Sequence, residues 1–237
     1  MSTTEVKRLL GSTAVEALVR SGMKLGLGTG STAVQAVYRI GELLGCGSLR
    51  DIVAVPTSFQ TVVACRQAGI SLSTLNDPVV DGKLDLTIDG ADEVDPRWNL
   101  IKGGGAAMLI EKLVARASRS YCIIVEGYKI VRRLGEQAPV PVEIIPEALV
   151  TATRQLEALS GIVTLRLATM KDGPVISDHG NFILDVSFPR PFSPKRMEAQ
   201  IMAIPGVVAN GIFTLPVTDL FIGYPDGRTE RKSRTGQ

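Results

Sequence analysis

Apolar positions along the first half of the chain recur at two spacings, one helical and one extended. Between residues 3 and 20, Val6, Leu9, Leu10, Ala14, Ala17 and Leu18 return every three or four positions, which predicts an amphipathic helix with Thr3 or Thr4 as N-cap. Residues 23–27 predict a short strand running into Gly26-Leu27-Gly28-Thr29-Gly30-Ser31-Thr32, and a helix follows with Val34, Val37, Ile40, Leu43 and Leu44 on one face. The alternation repeats as a strand over 52–55, a helix over 59–68 and strands over 70–74 and 84–88. A helix from Ala106 to about Ala117 and a strand over 120–125 complete it. Strands alternating with helices imply crossover connections, so the first region reads as a Rossmann-like α/β fold around a mostly parallel sheet.

The texture then changes. Residues 135–146 hold three prolines and read as the crossing into a second region. There 147–160 is helical, 162–167 extended, and 175–176 and 182–186 flank Asp178-His179-Gly180-Asn181, a hairpin signal. A helix over 194–204 completes a smaller ferredoxin-like α+β domain. Strands over 207–214 and 219–224 read as returning to the first sheet, and the polar stretch 229–237 as a loose tail. The expected division is a catalytic α/β domain of residues 1–134 and 208–237, with a small α+β domain over 135–207.

Composition narrows the classes of function. An apolar share of 45% and a charged share of 21% suit a globular chain with a real core. The net charge of +2 gives no electrostatic case for nucleic acid or a membrane surface as partner. No apolar run approaches the roughly 20 residues of a membrane helix, and no leader of basic and then apolar residues is present. Cys46, Cys65 and Cys122 lack metal-type spacing and read as reduced thiols. With His179 the only histidine, a zinc site is not expected. The expectation is a cytoplasmic protein, or one of an organelle stroma once a targeting peptide is removed, that uses neither metal nor organic cofactor.

Two stretches carry chemistry. In the first, the turn after the opening strand puts the Ser31 and Thr32 hydroxyls beside backbone N–H groups and a helix N-terminus, which suits a single phosphate. It is neither the dinucleotide fingerprint, which needs glycine at Ser31, nor a P-loop, which needs Gly-Lys-Ser/Thr. A tight, N-capped βα turn is the plainer alternative. Thr57, Ser58 and Thr61 extend a hydroxyl-lined pocket or simply cap the next helix. Lys7, off the apolar stripe of its helix, reads as solvated.

The second stretch is 88–112, IDGADEVDPRWNLIKGGGAAMLIEK. Asp89 and Asp92 stand on a turn after a strand, where both can face one pocket. Gly103, Gly104 and Gly105 let backbone amides approach a ligand closely and stabilise an oxyanion, with Lys102 adding charge at the rim. Glu111 sits among Met108, Leu109, Ile110 and Leu113, where a carboxylate has little structural reason to be. Singly, each has a plain alternative: an exposed Glu-Lys pair, a strand-end aspartate, a glycine loop. Together a base, an oxyanion site and a phosphate anchor suit proton abstraction beside a carbonyl.

These motifs resemble ribose-5-phosphate isomerases of the A type. The likeness rests on Gly28-Thr29-Gly30-Ser31-Thr32, Pro56-Thr57-Ser58 with Thr61, Asp89-Gly90-Ala91-Asp92-Glu93, and Lys102-Gly103-Gly104-Gly105-Ala106-Ala107 with Glu111-Lys112. Pro141-Val142-Glu143, Gly180-Asn181 and Ile204-Pro205-Gly206-Val207 follow in the same order. The resemblance implies interconversion of ribose 5-phosphate and ribulose 5-phosphate through an enediolate, in the non-oxidative pentose phosphate pathway. It implies Glu111 as the base, with Asp89 and Asp92 contacting sugar hydroxyls and assisting ring opening. Lys102 and the amides after it would hold the enediolate oxygen. Thr29, Gly30, Ser31 and Thr32, then Asp89, Gly90, Ala91 and Asp92, and Lys102, Gly103, Gly104 and Gly105 match substrate-binding segments. Lys7 aligns with a lysine near the phosphate, which replaces the solvated reading. Lys129 matches a further substrate lysine, although Val125-Glu126-Gly127-Tyr128-Lys129 departs from the Ala-Asp-x-Ser-Lys of many members. A homodimer or homotetramer is also implied. The rivals are a sugar-phosphate sensor joined to a DNA-binding helix-turn-helix, for which the N-terminal 20 residues are too short, and an amino-sugar phosphate isomerase or lactonase, which often relies on a catalytic histidine where this chain has only His179 in a hairpin turn.

Overall fold

A computed structural model describes residues 1–234 of the chain. The elements begin α1 (Thr3–Leu18), β1 (Lys24–Leu27), α2 (Ala33–Gly45), β2 (Val53–Pro56), α3 (Phe59–Gln67), β3 (Ser71–Leu72) and β4 (Leu84–Asp89). Two short strands, β5 (Glu93–Val94) and β6 (Leu100–Ile101), precede α4 (Met108–Arg116) and β7 (Ser118–Glu126). Next come β8 (Val140–Ile144), α5 (Leu149–Ala158), β9 (Ile162–Leu165), β10 (Phe182–Ser187) and α6 (Pro194–Met202). The chain ends with β11 (Val207–Asn210), β12 (Ile212–Phe213), β13 (Asp219–Gly223) and β14 (Thr229–Ser233).

Two compact units result. The first holds Met1–Gly90, Ile110–Tyr128 and the chain from Leu215 onward; the second holds Ala91–Leu109 and Lys129–Thr214. In the first unit a seven-stranded sheet has the order β14-β13-β7-β4-β1-β2-β3. Every pairing in it is parallel except β13 with β14. Its central strands are buried on both faces and therefore read as continuous apolar runs, as Ile123, Ile124 and Val125 do. Leu10, Leu25, Leu27, Ile40, Ile88 and Phe221 belong to the main core of this unit. Chain order reverses between β1 and β4, and the loops after those strands lie at the position where open α/β sheets hold ligands.

The second unit contains a four-stranded antiparallel sheet ordered β11-β8-β10-β9. Its sequence β8-α5-β9-β10-α6-β11 is the ferredoxin-like arrangement expected. Val142, Ile144, Leu184, Leu156 and Ile201 pack its core. A three-stranded sheet, β12-β6-β5, belongs to the same unit.

Several expectations need correction. Ser2, rather than Thr3 or Thr4, caps α1: its hydroxyl accepts from the Glu5 amide while Glu5 accepts from the Ser2 amide. The helix expected from Ala106 begins at Met108, because Ala106 has φ of 58° and ends a turn closed by its own N–H to the Gly103 carbonyl. The proline-rich 135–146 contains a buried central strand, β8. Pro141 is tolerated there because β11 pairs only as far as Val142. Residues 207–214 do not rejoin the first sheet; they divide at Gly211 into β11 and β12, in two different sheets. Residues 229–233 of the expected loose tail form β14, where Arg231 reaches back to Asp219 on β13 at 2.9 Å. The rest of that tail, 235–237, lies outside the described residues. The stretch Ala91–Leu109, expected with the larger domain, falls in the second unit. There the Lys102 amide donates to the Gly211 carbonyl, and the Gly211 amide to that of Pro141.

Candidate active site

The ends of four adjacent parallel strands supply the first group of residues. After β1, Gly28 donates to the Ile88 carbonyl, which ties the glycine turn to β4. A Cβ on Gly28 would stand 2.0 Å from Asp89 Oδ1, so the close approach of turn and carboxylate requires glycine. Thr29 Oγ1 is 2.7 Å from both Thr57 Oγ1 and Ser58 Oγ, and Thr61 Oγ1 donates to the Gly28 carbonyl at 2.9 Å. Ser58 also caps α3. The hydroxyls of 57, 58 and 61 thus hold the turn in shape. The Gly30 amide donates to Gln60 Oε1 at 3.0 Å.

Ser31 is exposed and Thr32 buried at the start of α2. Thr32 occupies the cap position without capping the helix. The amides of Ser31, Thr32 and Ala33 have no backbone acceptor among the described residues. Lys7, from α1, donates to Ser31 Oγ at 2.8 Å. Amides, a hydroxyl and an ammonium therefore converge on the helix N-terminus, a donor set matched to an anion.

Asp89 ends β4 fully buried, and its Oδ1 accepts from the Gly90 amide at 2.7 Å. Glu111 lies in the first turn of α4 and is only 4% exposed. The face it occupies follows from Val114, one turn later: a Cβ on Gly26 of β1 would meet Val114 Cγ1 at 2.4 Å. Glu111, at i−3, shares that sheet-facing side, in the turn where the helix N–H groups favour a carboxylate.

The second unit carries the rest. The Asp92 amide donates to the Ile101 carbonyl, and Asp92 Oδ2 accepts from the Gly104 amide at 2.9 Å. Lys102 is 2% exposed, with Nζ 5.6 Å from the centre of the Phe213 ring. Gly103 has φ of 104°, a conformation other residues rarely adopt, while Gly104 and Gly105 are exposed. Arg166, which the sequence did not single out, donates to the carbonyls of Gly103 and Gly104 at 3.0 and 3.1 Å. Asp185 holds that guanidinium through its Nε at 2.8 Å. Lys129 is half-buried at the end of a short 3₁₀ turn. His179 is exposed in the turn between Ser177 and Asn181. No group of three or more His, Cys, Asp or Glu among the described residues could hold a metal ion.

Within the first unit, then, Lys7, Thr29, Gly30, Ser31, Thr32, Asp89 and Glu111 gather on β1, β4 and the helices beside them. Asp92, Lys102, Gly103, Gly104, Gly105 and Lys129 belong to the second unit. Besides Arg166, the sequence missed Glu126, which ends β7 and receives hydrogen bonds or charge from Lys7 and Thr32. Its only signal was a carboxylate closing an otherwise apolar strand.

Residues 53–227 match the family model described as ribose 5-phosphate isomerase A (phosphoriboisomerase A). The chain belongs to the ribose 5-phosphate isomerase A family. It is thereby an isomerase of the pentose phosphate pathway. The protein named ribose-5-phosphate isomerase A of Treponema denticola is 46% identical over 237 residues, covering 97% of this chain and 99% of that one. Its counterpart in Thermosynechococcus vestitus is 46% identical over 219 residues, or 92% and 91% of the two chains. A solved D-ribose-5-phosphate isomerase in complex with phospho-erythronic acid superposes with a TM-score of 0.93 at 37% identity, covering 99% of this chain and 100% of that one. The ribose 5-phosphate isomerase A of Methanocaldococcus jannaschii gives 0.91 at 38% identity over 98% and 100%.

Proposed function

We propose that this chain interconverts D-ribose 5-phosphate and D-ribulose 5-phosphate, with Glu111 as the base. The observation that carries the reading is the Glu111 carboxylate itself, buried on the sheet-facing side of α4 where packing alone would favour an apolar residue. Glu111 takes the proton from C2 of the open-chain aldose. The electron pair left behind forms the C1–C2 double bond of an enediolate as the C1 carbonyl oxygen becomes negative. Return of that proton to C1, while the O2 proton passes to the negative C1 oxygen, yields the ketose, so nothing is oxidised or reduced overall. Lys102 and the amides of Gly103 and Gly105 stabilise the enediolate oxygen, where preorganised donors act most strongly. Asp89 and Asp92 bind sugar hydroxyls and assist ring opening, along Gly90 and Ala91. Lys7, Ser31, Thr32 and the turn at Thr29 and Gly30 take the phosphate, and Lys129 contacts the substrate.

The reaction so drawn calls for no metal or organic cofactor. We further propose a location in the cytoplasm or an organelle stroma, and assembly as a homodimer or homotetramer, whose mass light scattering would read directly. No helix among the described residues is long and apolar enough to cross a membrane. The test is a coupled assay in a chelating buffer with ribose 5-phosphate as substrate. Wild type should form ribulose 5-phosphate and Glu111→Gln should not; an active Glu111→Gln protein removes the base.

A further inference from the structure

Glu126 closes β7 and is buried, although the pairing of that strand asks for no carboxylate. Its two oxygens serve two elements. Oε2 accepts from Thr32 Oγ1 at 3.2 Å, and Oε1 lies 3.5 Å from Lys7 Nζ, the same ammonium that donates to Ser31 Oγ. We infer that Glu126 is the positioning residue of the phosphate site: it fixes the Lys7 ammonium over Ser31 and draws the Thr32 hydroxyl away from the start of α2. The inference rests on the reading of Lys7 and the 29–32 turn as the phosphate anchor.

Both effects follow from ordinary chemistry. A lysine ammonium on a flexible stem loses much rotamer freedom when it is held, and a partner already in place bears that loss before the substrate arrives. A threonine at a cap position normally accepts from the amides one or two residues into the helix. Here its hydroxyl donates to Glu126 instead, which leaves the first amides of α2 for a ligand. Charge alone argues the reverse. A carboxylate beside Lys7 offsets its positive field, so Coulomb attraction by itself predicts tighter phosphate binding once Glu126 is neutral. The sign of the effect therefore separates positioning from simple electrostatics.

The experiment measures inorganic phosphate as a competitive inhibitor of the full-length enzyme. In Glu126→Gln the inhibition constant and KM should both rise about tenfold, the scale of one lost charged hydrogen-bonding partner, with kcat within about threefold of wild type. In a Lys7→Met background the same substitution should change the inhibition constant by less than about twofold, because the two side chains act as one unit. An inhibition constant that falls or stays put in Glu126→Gln, or full additivity with Lys7→Met, overturns the inference. If Lys7→Met alone leaves phosphate inhibition unchanged, the anchor reading itself fails, whatever Glu126 does. Should Glu126→Gln melt too early to assay, Glu126→Asp applies the same test, since it withdraws the charge by one methylene. Its inhibition constant should rise with kcat retained, and an unchanged one counts against the proposal.

Discussion

At the scale of the residue, the surroundings of Lys7 and Glu111 differ as the proposed division between binding and proton transfer requires. Lys7 meets a serine hydroxyl beside uncapped amides, a place to hold charge that does not change during reaction. Glu111 sits buried in a helical first turn, a place to accept a proton. General base catalysis contributes ~10²–10⁴-fold, so Glu111→Gln should lower kcat by that factor with phosphate inhibition nearly intact. Lys7→Ala should act mainly on KM, with a smaller loss in kcat. Steady-state kinetics on the two variants checks the split, and a Glu111→Gln protein whose defect lies wholly in KM would move the base elsewhere. Glu111 stood out as a charge among apolar neighbours, Asp89 as a carboxylate on the turn after a strand, and Lys102 by the three glycines that follow it. Glu126 was less so: at the sequence level it ends a strand before a turn, and only the fold reveals that residues 7 and 32 meet it.

The glycine run is shaped by elements on either side of it in space. Arg166 follows β9 and Asp185 lies on β10, so neighbouring strands of one antiparallel sheet clamp the carbonyls of Gly103 and Gly104. Asp92 holds the Gly104 amide from the opposite side of the peptide, which leaves the amides of Gly103 and Gly105 for a ligand. A guanidinium can bind a carboxylate and two carbonyls at once; a lysine ammonium cannot reproduce that fork. Arg166→Lys should therefore lower kcat about tenfold through a misplaced oxyanion site, with little change in melting temperature, since both partners are partly exposed. An unaltered kcat would show that the loop keeps its shape without the clamp. Periodicity reveals long elements well, and α1, α2, α3 and β4 fall close to where it puts them. It reveals nothing of β5 and β6, at two residues each, and runs β12 together with β11 as one strand, yet these short strands fix where Lys102 stands. Pro141 hid β8, since a proline within a run normally demotes a central strand.

The whole molecule is a chain that passes between its two units several times, so its thiols report on the integrity of widely separated segments of one core. Alternating strands and helices made the parallel sheet legible, whereas the placing of Ala91–Leu109 depended on long-range pairing with Gly211 that no local pattern encodes. Cys65 and Cys122 are buried in the first unit and Cys46 is exposed. Burial pushes the Cys65 thiol up to about 11, and burial with the nearby Asp219 charge pushes Cys122 well above the ordinary range. Hydrogen bonds from Ser48, side chain first and backbone second, hold Cys46 below it. The native protein near pH 8 should thus take one iodoacetamide adduct per chain, mapping to Cys46; a second adduct on Cys65 or Cys122 would mean that the core opens readily. The sign of the linkage follows for the buried pair. Their folded-state values lie above the ~8.5 of an unfolded thiol, so their contribution to stability is complete below that pH. As pH rises from there toward about 11, the unfolded chain sheds thiol protons that the folded chain keeps, and stability falls. The melting temperature of wild type should therefore drop more steeply across that window than that of Cys65→Ala, whose unfolded state has one less thiol to ionise. Parallel curves for the two proteins would show that Cys65 ionises as easily in the fold as out of it.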